Sequence, residues 1–382
     1  MLSSGPIRTV VASYPSPREP RRAHFIEGIH RAIPGSEVLA PQVFREDPLD
    51  ELRSGVPVRR FSYPSGGRPP RAGGWSPWTV LRYLQSGLRR AREVWPDRDA
   101  ARGGVVVGHW IVPSGWIAAR IAERLGVPLV LWGHGSDIHR YGRLPGVRGV
   151  VGDLCRRATR TVVASDDLGR RVAEWSGRSR DDFTVIPVGV DEEFTASPER
   201  RGGPPPWRLL FVGDLLESKG LPLVVDAWRR LRSRGCPVEL EVVGDGPERA
   251  LLETPADDGT RVDWRGVGTP TEINASMQRA HFLVLPSAAE GTPLVVQEAI
   301  VTQLPVLATA VGGIPRLFTD RAGWVAIDRD ATALASTIEE QIDLGSARYH
   351  DTVAAMGSSD AGSLRLSTTV ERFCAVLREV SS

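Results

Sequence analysis

Residues 286–299 read PSAAEGTPLVVQEA, and a short apolar run precedes them. The pattern predicts a strand that ends at the first of these residues, a loop that carries Glu290, and then a helix. Thr292 and Pro293 suit the start of that helix, because a threonine hydroxyl caps free N–H groups and proline fits the first helical position. The segment is therefore a strand–loop–helix unit, with Glu290 beside a helix N-terminus.

The same alternation of short apolar runs and longer helix-like stretches extends along the chain, and it indicates an α/β protein with two doubly wound, mainly parallel sheets. The strands predicted in the front half are residues 7–12, 104–107, 128–132, 161–164 and 184–186. Those predicted in the back half are residues 208–212, 238–243, 261–264, 281–285 and 305–308.

The chain has 382 residues, which is more than one hydrophobic core usually serves, so two domains are expected. Residues 196–206 are rich in proline, glycine and arginine, and this predicts a linker between a front domain, 1–195, and a back domain, 207–363. Apolar residues at helical spacing predict an amphipathic helix within residues 364–382. We expect that helix to pack back on the front domain.

Lys219 is the single lysine among 48 basic residues. It follows an apolar run, in a glycine-containing segment that leads into a helix-like stretch. A lysine ammonium is a compact charge suited to phosphate, and turn amides at a helix N-terminus also face anions. We therefore predict that Lys219 binds phosphate; a solvated surface lysine is the alternative.

The composition, with 41% hydrophobic and 25% charged residues, is that of a folded globular protein. The chain begins without a charged leader and long apolar stretch, and no apolar run reaches membrane-spanning length, so a cytoplasmic protein is expected. The three cysteines are widely separated, which fits neither a disulfide framework nor a zinc site. We expect all of them to be reduced: Cys155, Cys236 and Cys374.

Basic residues outnumber acidic ones in the front half, and the reverse holds in the back half. Residues 75–90 read WSPWTVLRYLQSGLRR and place tryptophan, leucine and arginine at helical spacing. A helix that buries this stripe in a core is the favoured interpretation. The alternative is peripheral contact with an anionic membrane surface on the inner face of the membrane. No nucleic-acid partner is expected, because no recognised binding motif accompanies the basic residues.

Six short motifs in the expected order, covering nearly the whole chain, together resemble glycosyltransferase family 4. Glu290 and Glu298 match its Glu-x7-Glu motif, and residues 213–220 are similar to its Gly-x-Leu-x3-Lys-Gly element. The other matching motifs are residues 134–137, 186–191, 243–247 and 311–315. The resemblance implies the GT-B fold, in which two Rossmann-like domains face an interdomain cleft.

The resemblance implies a retaining glycosyltransferase of polysaccharide biosynthesis. Such an enzyme moves a sugar from a nucleotide-diphosphate sugar to a hydroxyl of a glycan, lipid-linked or small-molecule acceptor. Glu290 and His134 would contact the donor sugar, Lys219 would neutralise the diphosphate, and Glu298 would bind the ribose. The other implied donor-binding residues are Gly213, Asp214, Gly244, Gly291, Thr292, Pro293 and Leu294.

No metal or other cofactor is implied, because Lys219 and a helix N-terminus would stabilise the departing diphosphate. The acceptor proton would pass to a phosphate oxygen on the same face of the sugar, so no protein base is needed. Residues 97–99 and 328–330 both read Asp-Arg-Asp, a pattern that binds metal in other glycosyltransferases. Chance, and capping of a helix by Asp330, are the favoured interpretations.

Three positions depart from the family pattern: Asp214 stands for an arginine, Ala23 for a glycine and Val188 for an asparagine. These departures leave open a non-catalytic nucleotide-sugar-binding or scaffold protein of polysaccharide assembly. Another GT-B enzyme is the second alternative, either a nucleotide-sugar epimerase or a phosphorylase with pyridoxal phosphate on Lys219.

Overall fold

The computed structural model describes residues 5–19, 23–66, 76–98, 101–139, 141–197, 199 and 203–381. The chain divides into two compact units, Met1–Val188 with Leu366–Ser382, and Gly189–Arg365. The division falls before residue 195 because the next residues bond within the second unit. Val190 N–H donates to the Leu364 carbonyl at 2.8 Å, and Thr195 N–H donates to Asn274 Oδ1 at 3.3 Å. Residues 198 and 200–202 of the predicted linker lie outside the described residues.

The first unit is built on an eight-stranded sheet in which one pair is antiparallel and the other pairs are parallel. Its strands are β1 (Ile7–Val11), β2 (Ser36–Gln42), β3 (Asp50–Arg53), β4 (Val56–Ser62), β5 (Val105–His109), β6 (Leu129–Gly133), β7 (Arg160–Val163) and β8 (Phe183–Val185). Their spatial order is β3-β4-β2-β1-β5-β6-β7-β8. The sheet confirms all five strands predicted for this half.

The sequence prediction missed β2, β3 and β4. The polar alternation of the β3–β4 hairpin and the prolines Pro41 and Pro57 hid them, since proline is unusual within strands. The hairpin turns at Ser54 and Gly55, which both have positive φ (49° and 80°), as the favoured two-residue turns require.

The helices of the first unit are α1 (His24–Arg31), α2 (Pro77–Val94), α3 (Ser114–Leu125), α4 (Ser136–His139), α5 (Val147–Arg157), α6 (Asp166–Ser176) and, from the end of the chain, α13 (Leu366–Ser381). The face of α2 that the unit buries carries Tyr83, Gly87 and Ala91. The expectation of a buried tryptophan and leucine stripe is wrong for Trp78 and Leu81, which are 56% and 45% exposed. Gly87 and Ala91 let α2 lie close to the sheet beside the buried Tyr83, whereas Trp78 and Leu81 face outward. Trp75 lies outside the described residues.

The second unit contains a six-stranded sheet in which every pair is parallel. Its strands are β9 (Trp207–Val212), β10 (Val238–Val243), β11 (Asp263–Trp264), β12 (Phe282–Leu285), β13 (Val306–Ala308) and β14 (Trp324–Ala326). The order is β11-β10-β9-β12-β13-β14. The five predicted strands are confirmed, and the three-residue edge strand β14 was missed.

The helices of the second unit are α7 (Leu221–Ser233), α8 (Pro270–Arg279), α9 (Leu294–Val301), α10 (Ile314–Leu317), α11 (Ala331–Asp343) and α12 (Gly345–Gly357). Asp330 caps α11 by accepting from Thr332 N–H and Ala333 N–H at 2.9 and 2.8 Å, which confirms that interpretation of its motif.

Helix α13 supplies part of the core of the first unit. Phe373 and Leu377 are fully buried in one cluster with residues from β1, β5 and β6. Thr369 Oγ1 also donates to the Pro187 carbonyl at 3.0 Å. The end of the chain is thus a structural element of the unit that contains its beginning.

All three cysteines are free thiols. Burial raises the pKa of the Cys155 thiol to about 12. Across the described ranges, no helix is both long and apolar enough to cross a membrane.

We predict that Phe373→Ala destabilises the first unit by about 3–5 kcal/mol, the usual cost of removing a buried phenylalanine side chain. The measurement is chemical denaturation followed by tryptophan fluorescence. Glu371→Ala on the exposed face of the same helix is the matched control, and its unfolding midpoint should stay within error of wild type. Equal effects of the two changes would contradict the role of α13 in the core.

Candidate functional site

The two central strands of the second unit, β9 and β12, mark the point where the strand order reverses. The chain runs from β9 to β10 and β11 on one side, then returns to β12 on the other. Because β9 and β12 pair in parallel, the loops that follow them leave the same edge of the sheet. Ligands of open α/β sheets bind at such a reversal point.

Lys219 and Glu290 come from these two loops and form an ion pair. Lys219 Nζ lies 2.7 Å from Oε1 and 2.9 Å from Oε2 of Glu290. The Glu290 side chain is 6% exposed and that of Lys219 is 29% exposed, so the pair is reached from the lysine side. An ammonium has three N–H donors, so a third donor remains for another anion.

The loop with Glu290 is bonded to elements on both of its sides. Ser287 Oγ donates to Glu290 Oε1 at 2.7 Å, and Thr309 Oγ1 donates to the Ser287 carbonyl at 2.7 Å. On the other side, Ala288 N–H donates to the Ser218 carbonyl at 2.8 Å. These bonds hold the carboxylate in place before any ligand arrives.

Two glycines allow this close approach. Gly220 has φ 81°, and a Cβ there would lie 2.4 Å from the Pro286 carbonyl oxygen. Gly312 has φ 58°, and a Cβ there would lie 1.9 Å from the Glu290 carbonyl oxygen. Both contacts are far shorter than real Cβ contacts, so any side chain would push the loops apart.

Helix α9 begins at Leu294 with Pro293 at its N-cap, one residue later than predicted from Thr292. The reason is that the loop before α9 bonds to the loop after β13, since Gly313 N–H donates to the Gly291 carbonyl at 2.6 Å. No side chain caps α9. Its N-terminus therefore favours an anion near Glu290.

Glu298 lies within α9 and is buried, 4% exposed. The neighbouring Gln297 is fully buried, and neither of its side-chain polar atoms has a hydrogen-bond partner among the described residues. Sequence reasoning gave Gln297 no role.

In the second unit, the residues predicted to bind the sugar donor that lie outside the Glu290 loop and α9 follow the ends of β9 and β10. Gly213 N–H donates to the Val243 carbonyl at 3.0 Å, next to Gly244. Asp214 is exposed and makes no ion pair among the described residues. Arg329 donates to the Glu217 carbonyl at 2.7 Å, which places a guanidinium on the turn that carries Lys219.

His134 lies in the first unit, in the loop after β6. The buried Asp137 shapes this loop, because its carboxylate accepts from Gly135 N–H at 2.9 Å and from Ile111 N–H at 2.8 Å. Burial raises the pKa of Asp137 to about 6, although these backbone donors oppose that shift. His134 Nε2 lies 2.8 Å from His109 Nδ1.

The other two family departures fall in the first unit. Ala23 has φ 52° and ψ 36°, the left-handed conformation that glycine favours, so the backbone keeps the path expected for the family glycine. Val188 is buried.

Sequence reasoning missed Ser287 and the histidines His30 and His109. His30 and His134 are separated from His109 by 79 and 25 positions, so no local motif could have grouped them. Among the described residues, no cluster of three or more histidine, cysteine or acidic side chains could hold a metal; Asp99 lies outside them.

Comparison with protein families gives two matches. The model of "Glycosyltransferase Family 4" matches residues 36–194, and that of "Glycosyl transferases group 1" matches residues 206–343. The two matches lie in the two halves of the chain. Together the two matches identify the chain as a glycosyltransferase of the family 4 type, with the GT-B fold.

Among curated sequences, TuaC of Bacillus subtilis, assigned as a teichuronic acid biosynthesis glycosyltransferase, is 27% identical over 86% of this chain and 87% of its own. WcaL of Escherichia coli, assigned to colanic acid biosynthesis, is 30% identical over 62% of this chain and 61% of its own.

Solved structures show the same fold. Sucrose-phosphate synthase from Thermosynechococcus elongatus superimposes with a TM-score of 0.75 at 17% identity, covering 98% of both chains. Anabaena HepE in complex with UDP-glucose superimposes with a TM-score of 0.68 at 17% identity, covering 98% of this chain and 99% of its own.

We predict that Gly220→Ala destabilises the second unit by more than Gly235→Ala. Both positions have φ near 80°, but a Cβ at Gly235 meets nothing within 4 Å. The control should therefore cost about 1 kcal/mol, the usual penalty for a left-handed alanine. The collision at Gly220 adds to that penalty. Thermal unfolding measures both, and equal shifts in melting temperature would show that the close approach to Pro286 is not required.

Proposed function

We propose that this glycosyltransferase takes its sugar from a nucleotide-diphosphate sugar, with Lys219 and Glu290 at the centre of the donor site. The observation that carries the proposal is the ion pair of these residues at the reversal point of a parallel sheet, beside an uncapped helix N-terminus. A cation next to a helix N-terminus suits a diphosphate, and a fixed carboxylate suits sugar hydroxyls. HepE, which shares the fold, is found in complex with UDP and with UDP-glucose.

In the proposed reaction the anomeric carbon–oxygen bond to the diphosphate breaks, and the acceptor oxygen bonds to the same face of the sugar, with retention. Lys219 and the N-terminus of α9 stabilise the negative charge that develops on the diphosphate. Glu290 accepts hydrogen bonds from sugar hydroxyls, and His134 contacts the sugar. Glu298 binds the ribose. The acceptor proton passes to the leaving phosphate oxygen, so neither a protein base nor a metal is required.

We propose that the acceptor is a hydroxyl of a glycan, of a lipid-linked acceptor or of a small-molecule acceptor, in polysaccharide biosynthesis. The assignments of TuaC and WcaL to teichuronic acid and colanic acid biosynthesis support this class. The departure at Asp214 removes one positive charge from the donor loop. Arg329, bonded to the turn of Lys219, is the guanidinium placed to replace it.

The test is thermal-shift screening of UDP-, GDP- and ADP-sugars with and without EDTA. We expect stabilisation by one nucleotide class, unchanged by EDTA and lost in Lys219→Ala and Lys219→Arg, because a planar guanidinium does not replace the compact ammonium. Glu217→Ala is the control, since its exposed side chain lies on the same turn. Stabilisation that survives Lys219→Ala would contradict the proposed site.

The single lysine permits a direct second measurement. Amine acylation followed by mass spectrometry reports Lys219 as the one modified ε-amine, and the matching nucleotide sugar should slow its acylation at least about tenfold by occupying the site. Acylation at an unchanged rate in saturating ligand would place the donor elsewhere. The anomeric form of the freshly released sugar, read by proton NMR, tests retention.

For localisation we propose that the exposed face of α2 contacts an anionic membrane surface. Trp78 and Leu81 are exposed, and the Arg82 guanidinium lies 4.3 Å from the centroid of the Trp78 ring. Arg89 and Arg92 are also exposed on this helix. Apolar rings flanked by arginines suit the interface of anionic lipids.

Flotation with vesicles containing phosphatidylglycerol should recover wild-type protein, and vesicles of phosphatidylcholine alone should recover much less. The double variant Trp78→Ala/Leu81→Ala should lose most of this binding, because the inserted apolar area is removed. Leu344→Ala, an exposed leucine in the second unit, is the matched control. Binding that is absent in wild type, or unchanged in the double variant, would rule out α2 as the membrane contact.

A further inference from the structure

Four polar side chains of the first unit form one continuous hydrogen-bonded chain. His30 Nδ1 lies 2.6 Å from Ser36 Oγ, His30 Nε2 lies 3.1 Å from His109 Nε2, and His109 Nδ1 lies 2.8 Å from His134 Nε2. The remaining ring nitrogen, His134 Nδ1, is enclosed and has no hydrogen-bond partner within the part of the chain that the structure describes. The chain therefore ends at an atom that can still make one hydrogen bond.

The rings are held in fixed orientations. The rings of His109 and His134 lie edge to edge and nearly coplanar, with centroids 5.1 Å apart and planes within 8°, as the hydrogen bond between them requires. Phe25 and Trp110 also contact the His134 ring, with centroids 5.3 and 5.0 Å away. Ser114 fixes the start of the loop after β5, because its hydroxyl donates to the His109 carbonyl.

All three rings are neutral near pH 7. Burial lowers the pKa of His30 to about 3, and it also lowers the pKa of His134. Burial, then the neighbouring rings of His134 and His30, lower the pKa of His109 well below its ordinary value. A neutral imidazole has one N–H donor and one bare nitrogen acceptor. The hydrogen bonds of this series can therefore all point from Ser36 toward His134, or all point from His134 toward Ser36.

The hydroxyl of Ser36 decides between the two directions. Ser36 is 4% exposed, and its side chain bonds to His30. If His30 Nδ1–H donated to Ser36, the buried hydroxyl hydrogen of Ser36 would lack an acceptor. Two groups would then have no partner, this hydroxyl hydrogen and His134 Nδ1. If Ser36 donates to His30, the one unsatisfied end is at His134. Each buried polar group without a hydrogen-bond partner is costly, so the second direction, which leaves one such group instead of two, is favoured.

We infer that Ser36, His30 and His109 are positioning residues that hold His134 as its Nδ1–H tautomer, a neutral hydrogen-bond donor for a sugar oxygen of the substrate. Ser36 donates to His30 Nδ1, His30 Nε2–H to His109 Nε2, and His109 Nδ1–H to His134 Nε2. The tautomers follow from the first unit alone, whereas the sugar oxygen as acceptor rests on the proposed function. A neutral donor binds the oxygen without adding positive charge beside a sugar that becomes cationic during transfer.

The tautomers are measured in the free protein by long-range proton–nitrogen correlation NMR of ¹⁵N-histidine-labelled protein. The protein has seven histidines, and single histidine-to-glutamine variants assign their NMR signals. We expect protonated Nδ1 in His134 and His109 and protonated Nε2 in His30. A His134 ring protonated at Nε2, or at both nitrogens near pH 7, would overturn the inference.

Ser36→Ala removes the hydroxyl that sets the direction. The His134 nitrogen signals should move toward those of averaged tautomers, and the affinity for the nucleotide sugar should fall about tenfold, the effect of losing one good hydrogen bond. Affinity for the nucleoside diphosphate, which has no sugar, should not change. Ser36→Thr keeps a hydroxyl and should restore both readouts.

Ser176→Ala is the matched control, because Ser176 is also buried in the first unit but bonds to carbonyls of α6. Its histidine signals should match those of wild type. Unchanged His134 signals in Ser36→Ala would refute the positioning role. If no nucleotide sugar binds wild-type protein, the proposed donor is wrong, while the NMR measurement still decides the tautomer by itself.

Discussion

The parallel pairing of β9 with β12 is the constraint on which the geometry of the candidate site depends. It brings the ends of two strands together, so that Lys219 and Glu290, 71 positions apart, meet through short loops. The approach is close enough that Gly220 must lie against the Pro286 carbonyl and Gly312 against the Glu290 carbonyl. Backbone packing therefore fixes the separation of the charges, and the ion pair needs little further ordering when it forms.

The two units use electrostatics in different ways. In the second unit a full positive charge and a full negative charge are paired, with the cation more exposed than the carboxylate. An incoming anion can therefore contact the lysine ammonium without the cost of first removing that cation from water. In the first unit the polar groups are neutral rings in series, where burial suppresses charge and each proton position fixes the next. Such a series of hydrogen bonds sets whether His134 donates or accepts, without placing a net charge there.

The family 4 motifs of this chain begin on loops that follow strands. Where this chain departs from the family pattern, neighbouring structure compensates for part of the change. Ala23 keeps a left-handed conformation. The exposed carboxylate at Asp214 has an arginine, Arg329, bonded to the neighbouring turn. Substitutions at such positions change the charge and shape of a loop more readily than the fold, because loop side chains contribute little to the core.

The sequence by itself determined the fold class, ten strands, the loop position of Glu290, the cap at Asp330 and the unusual single lysine, since these depend on local periodicity, capping and composition. It did not reveal β2, β3, β4 and β14, whose prolines, polar alternation or shortness weaken the local signal, nor the outward face of α2. Only the tertiary structure decided that Lys219 bonds to Glu290 and that three distant histidines and Ser36 form one chain. Contacts between residues so far apart in sequence follow from strand order and helix packing, which no short stretch of sequence encodes.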